Sequence, residues 1–254
     1  MAIWTERRPA GNADKDWDAV VSDADGTNLI AAVQGGRLWT SDDSGDTWTE
    51  RRPAGDNDKS WTGVASDDDG SHLMAGISTG RLYTSADFGA NWDERQPAGD
   101  SNKIWNALAS DSTGEHLIAA AQGKRLYTSA NFGVNWTERT LDGATNEHWL
   151  AVASDADGTK LLATAAFGRV YTSANSGATW TERRPAGDND RNWRAAASDS
   201  DGSHLMVGSI STDGRLWTSG NSGVSWTERR PTGDNDMDWY AVASDDDGSH
   251  LIVA

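Results

Sequence analysis

Residues 61–104 read WTGVASDDDG SHLMAGISTG RLYTSADFGA NWDERQPAGD SNKI, and this stretch is one copy of a unit that fills the chain. Two tryptophan series mark the unit. They are Trp17, Trp61, Trp105, Trp149, Trp193 and Trp239, and Trp4, Trp48, Trp92, Trp136, Trp180 and Trp226. Within the first series the step is 44 residues four times and 46 once. A fixed period of this length indicates stacked supersecondary units, so function has to be argued from the repeat.

Each unit contains four short runs with the composition of β-strands. In the quoted copy these runs are 61–66, 72–77, 81–85 and 91–95, and turns rich in Asp, Gly and Ser separate them. No window carries a 3.6-residue apolar stripe, which argues against helices. Four short antiparallel strands in 44 residues are typical of a β-propeller blade.

The first strand of each unit combines small and apolar residues. The second residue after its tryptophan is small, as in Ala19, Gly63, Ala107, Ala151, Ala195 and Ala241, which suits a crowded central axis. The next residue is apolar (Val20, Val64, Leu108, Val152, Ala196, Val242), so both faces of the strand are expected to be buried. The sequence therefore predicts an all-β chain, a six-bladed β-propeller with four-stranded antiparallel blades and an incomplete last blade. A two-layer sandwich is the alternative, but it gives no reason for near-identical units.

The whole chain is predicted to be one propeller domain. Its blades are placed at 17–50, 61–95, 105–139, 149–183, 193–229, and at 239–254 completed by residues 2–7. The sixth blade then lacks a third strand. It would either be a three-stranded blade or leave an edge that pairs with another chain, so self-association through the incomplete blade remains open.

The loop before the second tryptophan series carries a family resemblance. It reads Ser41-Asp42-Asp43-Ser44-Gly45-Asp46-Thr47-Trp48 and recurs at 85–92, 129–136, 173–180 and 219–226. This pattern resembles the Asp-box, or BNR repeat, of sialidases, xyloglucan-cleaving hydrolases, sortilin-type receptors and photosystem assembly factors. The resemblance implies a propeller with the box in the hairpin between third and fourth strands, away from any catalytic face. The box residues Asp43, Asp87, Asn131, Asn175 and Asn221 are therefore interpreted as structural.

No catalytic residue is predicted. Enzymes need groups with distinct environments, whereas here nearly every polar feature is repeated. The Arg-Arg-Pro sequence at 7–9, for example, recurs at 51–53, 183–185 and 229–231, so it does not match the single-copy motif of sialidases. We therefore expect a protein that is not an enzyme. A glycoside hydrolase-related propeller that lacks its catalytic residues is one alternative.

No cofactor and no metal site are predicted either. The chain has no cysteine, and four of its five histidines share one repeat position (His72, His116, His204, His250), which Asn28 and Lys160 occupy in the other units. The Asp-rich turns lack the span and terminal Glu of an EF-hand, so calcium dependence stays open.

The formal net charge of −17 argues against nucleic-acid partners, and no apolar run is long enough for membrane insertion. The first residues enter the repeat without a signal-peptide pattern, although the relatives are often extracytoplasmic, so localisation is left unknown.

The long loop between the fourth strand and the next first strand is the best candidate for a binding surface. Its candidate ligand-binding residues are Trp17, Trp61, Trp105, Trp149, Trp193 and Trp239 with Arg8, Arg52, Arg184 and Arg230. An indole that stacks on a sugar ring, with planar polar groups beside it, would suit glycans. In the alternative interpretation the tryptophans seal the blade interface and the polar residues cap the turn.

The sequence thus predicts a multivalent binding module, with carbohydrate as the most concrete ligand and weak equivalent sites that act together. A designed or recently amplified scaffold with no evolved ligand is the alternative.

Overall fold

The computed structural model describes residues 5–123, 125–141, 148–210, 214–233 and 235–254, and all regular elements in these ranges are β-strands. They contain no helix, and therefore none of the length and apolarity needed to cross a membrane. The strands form five four-stranded antiparallel sheets and one two-stranded sheet. The all-β propeller with an incomplete last blade, predicted from the repeat, is confirmed.

The first three blades have these bounds. Blade 1 contains β1 (Trp17–Ser22), β2 (Leu29–Val33), β3 (Leu38–Ser41) and β4 (Thr49–Arg51). Blade 2 contains β5 (Trp61–Ser66), β6 (Leu73–Ile77), β7 (Leu82–Ser85) and β8 (Asp93–Arg95). Blade 3 contains β9 (Trp105–Ser110), β10 (His116–Ala121), β11 (Arg125–Ala130) and β12 (Thr137–Arg139).

The remaining blades repeat this plan until the last. Blade 4 contains β13 (His148–Ser154), β14 (Leu161–Ala166), β15 (Val170–Ser173) and β16 (Thr181–Arg183). Blade 5 contains β17 (Asn192–Ser198), β18 (Leu205–Ile210), β19 (Leu216–Ser219) and β20 (Thr227–Arg229). Blade 6 contains β21 (Val242–Ser244) and β22 (Leu251–Val253).

Each blade runs up and down, which gives the propeller two different faces. The turn between first and second strands and the box hairpin lie at one end, joined in blade 1 by the hydrogen bond from Ser44 N to Thr27 O at 2.9 Å. We call this end the box face. The turn between second and third strands meets the long interblade loop at the other end, where Gly36 and Lys59 form an isolated bridge. We call that end the loop face.

Apolar side chains fill the space between successive blades. Trp61, for example, belongs to a buried cluster with Ile30, Ala32 and Leu38 of the preceding blade and Tyr83 of its own. Trp61 therefore belongs to the first strand of its own blade and packs against the sheet of the preceding blade. The first strands pack on one another in succession and so line the hub.

Backbone hydrogen bonds also link the blades, at the box face. The N–H of one turn donates to the carbonyl of the equivalent turn in the next blade, over distances of 2.8 to 3.1 Å. The successive links run from Ala24 to Asp68, Ser112, Ala156, Ser200 and finally Asp246. This series joins all six blades through the turns between their first and second strands.

The outer flanks of the first and sixth blades differ from all internal interfaces. Val20 in β1 is 70% exposed, while its equivalent Leu108 is buried. The expectation that both faces of the first strand are buried is therefore wrong at Val20, because no described strand packs there as successive blades do. Thr5 to Arg8 are not in a strand, and residues 2–4 lie outside the described residues. Completion of the sixth blade by residues 2–7 remains a prediction.

Candidate functional site

The box hairpins are held by a repeated set of hydrogen bonds. The Asp43 carboxylate accepts the Thr47 N–H at 2.7 Å, the Thr47 hydroxyl at 2.6 Å and the Ser41 hydroxyl at 2.8 Å. The Trp48 indole N–H donates to the Gly45 carbonyl at 2.9 Å. Ser44 and Gly45 both adopt positive φ, of 57° and 83°, which closes the loop tightly. These contacts support a structural role for the box.

Two of the five boxes hold a carboxylate, and three hold an amide. Hydrogen bonds from the Thr47 hydroxyl and N–H lower the pKa of Asp43, and those from the N–H and side chain of Asn91 lower the pKa of Asp87. In blade 3 the Asn131 side-chain oxygen accepts the Asn135 N–H at 2.8 Å instead. The loop backbone is therefore satisfied with or without a charge.

The turns of the box face pair an aspartate with the shared histidine position. His72 Nδ1 lies 2.7 Å from Asp67 Oδ2, and the same carboxylate accepts the His72 backbone N–H at 3.0 Å through its other oxygen. In blade 6, Asp245, Asp247 and His250 come close enough to hold a cation, but acidic turns of this kind are common without one. The same contact between aspartate and histidine supports this turn in four blades, so we interpret these residues as structural.

Most of the first tryptophan series is buried beneath the loop face. Trp61, Trp105, Trp149 and Trp193 are at most 2% exposed and Trp239 is 8% exposed, whereas Trp17 is 41% exposed. The Trp105 indole N–H donates to the carbonyl of Gly80 in the preceding blade at 3.1 Å. Buried indoles have no ring face open to a sugar, so these positions favour the interpretation that they seal blade interfaces. Among these six tryptophans, only Trp17 has an indole ring exposed enough to stack on a sugar.

The candidate arginines of the long loops lie on the surface in local ion pairs. Arg52 Nε is 2.7 Å from Glu50 Oε1, and its Nη1 is 2.7 Å from Asp56 Oδ1. Arg184 pairs with Glu182 and Asp188 in the same way, Arg8 with Glu6, and Arg230 with Glu228. The side chains of Arg8, Arg52, Arg184 and Arg230 remain about half exposed, so they stay accessible to a ligand.

A second arginine, which the sequence did not single out, holds the long loops that follow blades 1, 2, 4 and 5. Arg169 at the start of the third strand donates to the carbonyls of Gly187 and Asp188 at 3.0 and 2.9 Å. Its Nε also lies 2.9 Å from Asp190 Oδ1. Arg37, Arg81 and Arg215 occupy the equivalent place. Its only signal in the sequence is its repetition, which many structural residues share.

The residue after each first-strand tryptophan lies where the loop face meets the hub. The Thr62 hydroxyl donates to the Trp105 carbonyl of the next blade at 2.7 Å, and the Asn106 amide donates to the Trp149 carbonyl at 2.8 Å. Desolvation raises the pKa of Asp18, and the charge of Arg194 on blade 5 opposes that rise. Side chains from blades 1 and 5 therefore act on one another around the same opening.

Two recesses flank the ends of the chain. One, of about 420 Å³, lies between Glu6 and Trp17 and is lined by the first long loop. The other, of about 610 Å³, lies between blades 5 and 6, where Met206, Leu216 and Leu251 line it. Among the described residues, the sixth sheet contains only β21 and β22, so no third or fourth strand covers the second recess.

No protein-family model and no curated protein matches the sequence. Among solved structures, an ancestral GH74 enzyme has a TM-score of 0.76 at 18% identity, covering 100% of this chain and 36% of that one. A GH74 enzyme of Niastella koreensis has a TM-score of 0.74 at 17% identity, covering 94% and 44%. YCF48 bound to D1 peptide has a TM-score of 0.56 at 15% identity, covering 92% and 90%.

These similarities define the fold as a β-propeller shared by enzymes and by a peptide-binding protein. The chain spans less than half the length of the two GH74 enzymes. The expectation that this protein is not an enzyme is overturned, because the structures it resembles include GH74 enzymes. The physical reason is that a propeller built from like blades carries catalysis in some proteins and only binding in others. Repetition of polar residues was therefore too weak a ground for that expectation.

Proposed function

We propose that this propeller is a binding module and that its loop face is the ligand-binding surface. The observation that carries this proposal is the contrast between the two faces. At the box face, the carboxylates, hydroxyls and indole N–H groups form hydrogen bonds that close the turns, as those of Asp43 and Asp67 do. At the loop face, arginines such as Arg52 are exposed while Arg169 and its equivalents hold the loops in place.

A rigid loop with exposed polar ends lowers the entropy that a ligand must overcome on binding. The chain carries five similar copies of the long-loop sequence, so several weak contacts would act together on one extended partner. Among the solved structures with this fold, YCF48 is bound to D1 peptide and two others are GH74 enzymes, so similar propellers include a peptide-bound protein as well as enzymes.

The absence of cysteine allows a clean test of which face binds. Asn57→Cys places a single thiol on the loop face, and Ala174→Cys places one at an exposed position of the box face. Each would be coupled to a polyethylene glycol maleimide and screened against a glycan array and a display library of random peptides. Coupling at Asn57→Cys should remove binding that coupling at Ala174→Cys leaves intact. Equal loss from both sites, or no binding by the uncoupled protein, would contradict the proposal.

Carbohydrate is a second candidate ligand, and the exposed Trp17 favours it. Its indole borders the 420 Å³ recess, in which Arg8 donates to Asn12 Oδ1 at 3.0 Å. An accessible indole beside a guanidinium and an amide is a suitable set for one sugar unit. Trp17→Ala should then abolish glycan-array signals, whereas Phe88→Ala, which removes an exposed aromatic ring at the box face, should preserve them. Unchanged signals from Trp17→Ala would remove the sugar site.

A further inference from the structure

One position differs in every copy of an otherwise repeated unit. It follows the first-strand tryptophan and is occupied by Asp18, Thr62, Asn106, Leu150, Arg194 and Tyr240. The residue before the tryptophan is almost as diverse, with Asp16, Ser60, Ile104, His148, Asn192 and Asp238. The sixth residue after the tryptophan, in contrast, is aspartate in all six copies. We call the twelve residues that flank the tryptophans the hub rim.

Exposure alone does not account for this diversity. Asp56 and Asn57 of one long loop are exposed, yet the same residues recur as Asp188 and Asn189 in another. Across the six copies the loop position of Asn57 holds only Asn, Ser, Thr or Ala, whereas the position after the tryptophan holds acidic, basic, polar, aliphatic and aromatic residues. Among the positions of the repeat, only the one that follows the tryptophan holds a different residue in every copy.

The neighbouring turns bring further dissimilar residues to the same place. The Gln34 N–H donates to the Asp16 carbonyl at 2.8 Å, and the Ser78 N–H donates to the Ser60 carbonyl at 2.7 Å. In blade 4 the corresponding turn presents Phe167, which is 77% exposed. The hub rim and these turns therefore form one surface around the hub opening.

The chemistry of this surface changes from one side of the hub to the other. Blades 6 and 1 contribute three carboxylates, from Asp238, Asp16 and Asp18. Blades 3 and 4 contribute the apolar Ile104 and Leu150 together with the polar Asn106 and His148. The exposed Phe167 lies in the adjoining turn of blade 4 and adds to the apolar surface there. Blades 2 and 5 separate the two sides with hydroxyl, amide and guanidinium groups.

We propose that the hub rim binds an extended peptide segment that carries a basic side chain at one point and an apolar side chain at another. The basic group would lie at Asp16 and Asp18, and the apolar group would meet Leu150 and Phe167. The net charge of −17 would draw such a cationic segment towards the protein. This inference rests on the proposed function and names its ligand class.

The chain itself supplies the matched variant for a test. Blade 2 carries Ser60 and Thr62, so a Ser-Trp-Thr sequence is compatible with this blade architecture. A uniform-rim variant would place that pair in the other five blades. A charge-reversed variant would carry only Asp16→Lys and Asp18→Lys. Both would be compared with the unaltered protein in selection from a display library of random 12-residue peptides, with thermal melts to establish folding.

The unaltered protein should enrich peptides that combine Lys or Arg with an apolar residue. Their affinity for the uniform-rim variant should fall about tenfold or more, and the charge-reversed variant should select acidic residues in place of basic ones. Identical selections by the unaltered and charge-reversed proteins would overturn the inference, even if the uniform-rim variant failed to fold. Enrichment of no peptide would also overturn it, while binding on the glycan array would leave the proposed function standing.

Discussion

The same repeated unit makes the box face and the loop face, but the residues that recur from blade to blade have different roles at the two faces. At the box face, nearly the same hydrogen bonds close every hairpin, whether the box holds Asp43 or Asn131. At the loop face, the supports beneath the surface recur, whereas the hub rim changes in every blade. Residues that stabilise the blade can therefore be distinguished from residues that a partner would contact, and paired substitutions test each distinction.

The largest effect is expected for the indoles beneath the loop face. Trp105→Ala removes a side chain that is 1% exposed and bonded to Gly80, so it should lower the free energy of unfolding by about 3–5 kcal/mol. Trp17→Ala removes a partly exposed ring and should cost about 1 kcal/mol. Urea titrations of both variants measure the difference. Similar losses of unfolding free energy in the two variants would mean that another part of the protein buries Trp17, as packing of blade 6 against blade 1 would do.

The anchoring arginine should come next. Arg169→Ala leaves two loop carbonyls without their donor and separates Asp190 from its partner, so a loss of about 2 kcal/mol is expected in chemical denaturation. Arg184→Ala, the exposed control on the same loop, should cost less than about 1 kcal/mol. If Arg184→Ala proved the more damaging change, the assignment of support and surface would have to be reversed.

A smaller effect is expected at the hub rim itself. Thr62→Val keeps the shape of the side chain but removes the hydrogen bond to the Trp105 carbonyl, which should cost about 1 kcal/mol. Thr62→Ser retains the hydroxyl and serves as the control in the same thermal melts. A cost for Thr62→Val well above that of the buried tryptophan change would show that the hub rim is chiefly structural.

The most subtle contrast concerns acid stability at the box face. The pKa of Asp43 and that of Asp87 are lowered in the folded state, so their contribution is complete above the unfolded value of about 4 and is lost as pH falls through the folded pKa. Asp43→Asn with Asp87→Asn should therefore flatten the decline of melting temperature on the acid side. Asn131→Asp should steepen it, and an unchanged slope in both variants would contradict this assignment.

The propeller could be predicted from the sequence because the same period and the same strand composition recur in every unit. Trp61 and Trp105 repeat in register, and a repeated indole is a reliable mark of a repeated interface. Which tryptophans were accessible could not be predicted, since Trp17 and Trp61 occupy the same position of the repeat and differ in burial because only Trp61 packs against a preceding blade. The anchor Arg169 was missed because its acceptors are backbone carbonyls, which leave no trace in the sequence.

The candidate site was predicted only in part for a related reason. Periodicity directs attention to what recurs, such as Arg52, while the hub rim is recognised by what fails to recur. Its meaning also depends on placement. Asp18 and Leu150 are far apart in the chain, and only the circular arrangement of blades sets their unlike chemistry around one opening.

The series of backbone links between the turns has a polarity. Every link donates from a lower-numbered blade to the next, from Ala24 to Asp68 and onward to Asp246. Within the described part of the chain, the Ala24 carbonyl and the Asp246 N–H take part in no such link, so blade 1 offers an acceptor and blade 6 a donor. A further blade or a second molecule that continues the series would have to join head to tail, because a head-to-head contact would oppose two acceptors or two donors.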